Sequence, residues 1–304
     1  SGDLESLEIR TLDFTEFTEA VGAGDIYNSI DLFGKSSDDS YTKLKSLYEV
    51  YCKIGGYPSV VLKYLECRSL QECHGELVKI IRLFANESRR YFEDILDLAT
   101  YENLFTSVAR VLAKEKRGFQ EDSFSEELQR IVVKDYSSNI SKATVNRAID
   151  WLYSAGIIGF AGKLPECNIL DFKAKSRCYF MDIGLTSYFL KKAGCEDAMI
   201  NGIVNENFVY LDLKRRLDFP AEIVLETPAF ATLGNGEVDF YVKTAESGKT
   251  KTYTVNIHRN EFEDHTTKLK DLDLEVQCEI AEKLKEITIQ EINVKFDIKK
   301  IKKH

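Results

Sequence analysis

The chain is poor in residues that bend or cross-link a fold. Its 304 residues include four prolines, one tryptophan, two methionines and four histidines. Scarce proline favours long helices, because proline removes a backbone donor and clashes with the preceding turn. The seven cysteines are scattered, odd in number and without a C-x-x-C pair. That pattern argues against a disulfide-built secreted domain and offers no zinc spacing. Cys67 with Cys73-His74 lacks a second ligand pair and reads as ordinary helix surface. No apolar run reaches the roughly 18 residues of a membrane helix. The first residues have neither the basic nor the apolar region of a secretion signal, so a cytoplasmic protein without a membrane partner is expected. Positive charge is not in excess either. Forty-one Lys and Arg against fifty Asp and Glu give −9, unlike a protein that coats nucleic acid.

Three motif absences narrow the chemistry. There is no G-x-x-x-x-G-K-[ST] and no G-x-G-x-x-G, and Gly22, Gly24, Gly55 and Gly56 lack a preceding apolar strand and a following lysine. No loop is therefore set to cradle phosphate, and this chain is expected neither to bind ATP tightly nor to hydrolyse it. There is no G-x-S-x-G elbow to support a serine hydrolase.

What is present is globular: 44% apolar and 30% charged residues. At about 100–200 residues per domain, the length suggests two or three domains. Leu7 and Ile9 alternate like a short strand, and Asp13 or Thr15 offers an N-cap for a helix holding Phe17. Leu44, Leu47, Tyr48 and Tyr51 follow helical spacing, which Gly55-Gly56-Tyr57-Pro58 interrupts. The spacing resumes through Val61, Tyr64 and Leu65, then Leu77, Ile80, Ile81 and Phe84, then Tyr91, Ile95 and Leu98. We read residues 21–102 as a helical region after a short leading segment, 1–20.

Residues 103–195 read as a winged helix-turn-helix. Two helices end near Gly118 and Lys134, Ser141 caps a third with apolar face Val145, Ala148, Ile149 and Leu152, and strands Ile157–Ala161 and Arg177–Met181 form a ribbon. If the third helix meets DNA, Lys142, Thr144, Asn146 and Arg147 are the contact residues. Against DNA, residues 118–163 hold five basic side chains (Arg130, Lys134, Lys142, Arg147, Lys163) and six acidic ones (Glu121, Asp122, Glu126, Glu127, Asp135, Asp150). Counterion release needs a positive face, so the plain alternative is a helix that packs against a neighbouring domain or a protein partner.

Residues 196–304 read as an α/β domain, giving an α+β protein. A helix carries Val204, Phe208 and Leu211; strands are expected at 222–226, 237–242, 252–258, 287–292 and 294–298, and a helix at 267–285. Alternation puts Glu237 and Asp239 on one strand face, opposite Val238, Phe240 and Val242. The next strand puts Thr254, Asn256 and His258 on its polar face. With Glu206 these carboxylates could hold Mg²⁺ and activate water for phosphodiester cleavage; the plain alternative is a solvated hairpin face. The lysines of the last ten residues read as a solvated tail.

Seven stretches in order resemble one family. They are Leu7–Phe17, Gly55-Gly56-Tyr57-Pro58, Tyr91–Ile95, Lys142–Gly156, Tyr179–Leu185, Asn205–Val209 and Gly236–Phe240. Together they resemble the C-terminal region of a group of prokaryotic AAA-type P-loop ATPases, which carries a winged helix and a PD-(D/E)XK nuclease-like domain. The resemblance implies that residues 1–20 are the end of an ATPase module absent from this chain. ATP and Mg²⁺ would belong to that module, which would be a partner. It also implies a degenerate nuclease site: Glu206 and Asp239 match the pattern, whereas Asn256 stands where Glu is expected and His258 where Lys is expected. Asparagine brings no negative charge to a hard cation, and neutral imidazole does not replace an ammonium. The expectation is a binding or regulatory module with no confident catalytic residue, its partner being DNA or protein. The alternatives are an active metal-dependent nuclease using Glu206, Glu237 and Asp239, and a scaffold that touches no nucleic acid.

Overall fold

A computed structural model describes residues 9–31, 34–92, 98–118, 122–136, 140–163, 176–217, 227–233, 236–246, 249–258 and 295–300. Five helices come first: α1 (Phe14–Ala20), α2 (Gly24–Asn28), α3 (Asp38–Ile54), α4 (Pro58–Cys67) and α5 (Leu70–Phe92). Next come α6 (Leu98–Lys116), α7 (Phe124–Tyr136), α8 (Lys142–Ser154), β1 (Ile158–Gly162) and β2 (Ser176–Phe180). After α9 (Ile183–Lys192) and α10 (Asp197–Leu217) follow β3 (Ala229–Leu233), β4 (Gly236–Glu246), β5 (Lys249–His258) and β6 (Lys295–Lys300). The described residues are thus mainly helical with two antiparallel sheets, in keeping with an α+β class.

Local chemistry explains the helix ends. Asp13, not Thr15, caps α1: its carboxylate accepts from the Glu16 N–H, and Glu16 accepts from the Asp13 N–H, both at 2.8 Å. The described residues before it form no strand. Instead the Leu12 N–H donates to the Gly56 carbonyl at 2.8 Å, so the segment is held by a turn rather than by a sheet. Leu7 lies outside the described residues. In α3, Leu44, Tyr48, Tyr51 and Ile54 are buried along one face. Gly55 ends it at φ +76°, and Pro58 opens α4 at a position that needs no N–H donor.

Helices α6, α7 and α8 followed by the β1–β2 ribbon reproduce the expected element order. Ser141 caps α8 by accepting from the Thr144 N–H, and Val145, Ala148, Ile149 and Leu152 are buried. The ribbon is antiparallel, from Ile158 opposite Phe180 to Gly162 opposite Ser176. All ten of its strand residues are buried.

The second sheet has the order β3-β4-β5-β6. Strands β4 and β5 pair antiparallel from Phe240 opposite Val255 to Glu246 opposite Lys249. Val255 lies opposite Phe240 and Tyr253 opposite Val242, the expected apolar register. The strands expected at 222–226 and 287–292 and the helix at 267–285 lie outside the described residues, as do 93–97 of the Tyr91–Leu98 stretch.

Two apolar clusters organise the molecule. The first runs from Phe14 through α3 to α9 and reaches Val204, so the segments 1–20, 21–102 and 103–195 share one core. The second joins Ala161 and Tyr179 of the ribbon, Val209, Tyr210, Leu213 and Leu217 of α10, and Phe230, Phe240 and Val242 of the sheet. Strand alternation divides the ribbon: Ile158, Phe160, Cys178 and Phe180 face the first cluster, Ala161 and Tyr179 the second.

Candidate functional site

The run Asn205-Glu206-Asn207-Phe208 lies on α10, where each successive residue turns by about 100° and meets a different neighbour. Asn205 accepts from the Tyr48 hydroxyl at 3.0 Å. Asn207 treats Phe180 as a strand partner, donating to its carbonyl at 2.8 Å and accepting from its N–H at 3.1 Å. Phe208 packs edge-on against Tyr48, centroids 5.0 Å apart. Glu206 points into the seam between ribbon and sheet.

In that seam Glu206 is buried and forms an ion pair with Lys116 of α6. The Tyr179 hydroxyl of β2 donates to it at 3.1 Å. Arg177, also buried in β2, lies among three acids: Nε is 2.8 Å from Glu115 of α6, and Nη1 is 3.9 Å from Glu206 and 4.0 Å from Asp239 of β4. Its guanidinium carbon is 4.4 Å from the centre of the Phe230 ring on β3. Burial alone would raise the Glu206 carboxyl, but Lys116, Arg177 and the tyrosine hydroxyl outweigh it and hold it below its ordinary range. Burial, then the neighbouring Glu206 charge, pushes the Tyr179 hydroxyl well up.

Glu206 and Asp239 are therefore brought together, with a guanidinium between them. Among the described residues no group of three or more His, Cys, Asp or Glu is placed to hold a metal. The side chains of Glu237, Asn256 and His258 lie outside the described residues. Their backbones fall on β4 and β5, where Asn256 pairs with Asp297 and His258 with Lys295. In α8, Lys142 is 2.6 Å from Glu126 of α7, Asn146 accepts from the Ser125 hydroxyl, and Thr144 lies 2.9 Å from the Ser141 hydroxyl. Arg147 is exposed.

Sequence reasoning missed Arg177, Lys116, Glu115 and Tyr179 as members of this cluster. One signal was available: an arginine within the apolar strand Ser-Arg-Cys-Tyr-Phe needs a buried anion.

A second buried acid, Asp182, caps α9. It accepts from Gly56 N–H at 2.8 Å, Gly184 N–H at 2.9 Å and Leu185 N–H at 3.3 Å. Burial pushes its carboxyl up to about 6, despite those donors. A Cβ on Gly55 would stand 2.1 Å from Asp182 Oδ1, and one on Gly56 1.9 Å from the Leu12 carbonyl oxygen. The Gly55–Pro58 turn and the Asp182–Leu185 run thus form one close-packed joint. Beside it a cleft of about 460 Å³ opens between residues 9–15 and α10. Both acids in its lining have cation partners, Asp13 with Arg215 at 3.0 Å and Asp212 with Arg216 at 2.6 Å.

A family model described as a domain of unknown function (DUF8612) matches residues 45–195, just under half of the chain. The match takes in the Gly55–Pro58 turn, Arg177 and Asp182, and ends before Glu206 and Asp239. No curated protein and no solved structure matches the chain.

Proposed function

We propose that the chain is a binding and regulatory module, a winged helix joined to a PD-(D/E)XK-like domain that does not cleave nucleic acid. On this reading it corresponds to the part that follows the ATPase module in prokaryotic AAA-type ATPases. The observation that carries it is the Arg177 guanidinium between Glu206 and Asp239. A nuclease of this type would need those acids to face a divalent cation that activates water. Here an internal cation already offsets their charge, and Asn256 and His258 supply neither the third acid nor the ammonium of the motif.

A protein partner fits better than DNA. The ribbon is buried along all ten strand residues, Lys142 is committed to Glu126, and Asn146 is committed to Ser125. Helix α8 and the ribbon then serve as packing layers. The test is incubation of supercoiled plasmid with Mg²⁺ or Mn²⁺, with Asp239→Ala as control. No nicking is expected from either protein. Nicking by the wild type that the substitution abolishes would establish the nuclease alternative.

A further inference from the structure

We infer that Arg177 is a latch: it makes docking of the β3–β6 sheet onto the helix–ribbon unit depend on charge, so that the sheet releases as a unit while the first core stays folded. This does not rest on the nuclease-like reading, because it uses only the seam.

Phe230, Phe240 and Val242 of the sheet complete the second apolar cluster, whose other members lie on the ribbon and α10, apart from the buried residues of the first core. Among the described residues the sheet meets the rest through that cluster, through a backbone bridge between Lys163 and Phe230, and through Arg177. Arg177 reaches across from β2 toward both nearer strands, lying over the Phe230 ring of β3 and placing Nη1 4.0 Å from Asp239 of β4. Its strongest contact, Nε to Glu115, is on its own side. The guanidinium is thus anchored in the helix–ribbon unit and presented to the sheet.

Charge makes this contact a switch rather than one more attraction. Among the described residues, Glu115 and Glu206 on one side and Asp239 on the other bring three negative charges to the seam, against Arg177 and Lys116. With Arg177 the cluster carries −1. Without it the cluster carries −2, and Asp239 faces two acids across a half-dry boundary where like charges repel strongly. Losing the cation turns attraction across the seam into repulsion.

The test is amide hydrogen exchange on the full chain, comparing wild type, Arg177→Met, Asp239→Asn and the double variant. Arg177→Met should speed exchange in β3 and β4 by about tenfold or more, with α3 and α8 unchanged. Asp239→Asn should speed the same strands by less, because Glu115 still holds the guanidinium. The double variant should exchange no faster than Arg177→Met alone, since both substitutions break one contact. If Arg177→Met does not fold, Arg177→Lys, which keeps the charge but loses the planar fork, and Asp239→Asn decide the matter. Acceleration in the sheet, with α3 and α8 unchanged, supports the latch. Exchange that is unchanged in the sheet, or that rises equally in the sheet and in α8, overturns it.

Discussion

Asp182 and Glu206 are both acids taken out of water, and the molecule accommodates them by different means. Asp182 sits in the first core, where backbone N–H groups from Gly56, Gly184 and Leu185 converge on it. Glu206 sits in the seam, where Lys116, Arg177 and the Tyr179 hydroxyl surround it. The consequences have opposite sign: burial pushes Asp182 up to about 6, whereas the cations hold Glu206 below its ordinary range. At Asp182 the backbone donors do not fully offset desolvation, whereas at Glu206 the cations and the tyrosine hydroxyl do. The first arrangement suits a rigid joint. The second is a charge balance that a single substitution can upset.

The largest expected effect is at the joint. Asp182→Ala leaves three buried N–H donors without an acceptor and should cost about 3–5 kcal/mol in urea unfolding. Asp182→Asn should cost about 2 kcal/mol, because its amide N–H₂ meets either the Gly56 or the Gly184 and Leu185 donors. Equal losses for the two would break the account of Asp182 as an acceptor hub.

In the seam, Arg177→Met should cost about 2–4 kcal/mol by leaving buried acids with one cation fewer. The Glu206 carboxyl, followed by carbon-detected titration, should move upward in that variant. A Glu206 titration that ignores the loss of Arg177 would remove the seam half of the comparison.

The pH dependence should separate the two acids. Native Asp182 binds a proton more tightly than the unfolded chain, whose value is about 3.9, so its contribution to stability falls as pH rises from about 4 to about 6. Asp182→Asn should flatten that part of the profile. Glu206 behaves oppositely. Its stabilisation is present above the unfolded value of about 4.3 and is lost as pH falls through the lower native value, and Glu206→Gln should abolish that loss.

The smallest effects concern ligands. Lys142→Ala with Arg147→Ala should leave duplex DNA binding as it is, at or near zero, because Lys142 already serves Glu126. A wild-type gel shift that the pair weakens, with the salt slope lower by about one to two units, would reinstate DNA contact by α8. Calorimetric titration with Mg-ATP should be flat, and a saturable micromolar isotherm would contradict the missing phosphate loop.

Much of the frame was legible in the sequence because it is local. The apolar spacing of α3 and α8 and the Ser141 cap each declare themselves within a dozen residues. The nearness of Glu206 to Asp239 was one of two readings of the strand alternation, beside a solvated hairpin face, and matched the family resemblance. What stayed hidden is long-range polar matching. Gly56 and Asp182 are 126 positions apart, and periodicity carries no information about which acceptor meets which donor. Arg177 was read as the start of a strand because alternation sees only apolar against polar; its three acids come from α6, α10 and β4. Likewise nothing in the local pattern announces that the Leu12 N–H meets the Gly56 carbonyl.

The central claim is that internal cations, rather than a bound metal, balance the seam acids. The most direct test is Mn²⁺ titration of the wild-type protein, read as paramagnetic broadening of the Glu206 and Asp239 amide signals. The account predicts that these two signals broaden no more than those of surface residues at millimolar Mn²⁺. Selective broadening at both positions that Asp239→Asn abolishes would contradict it.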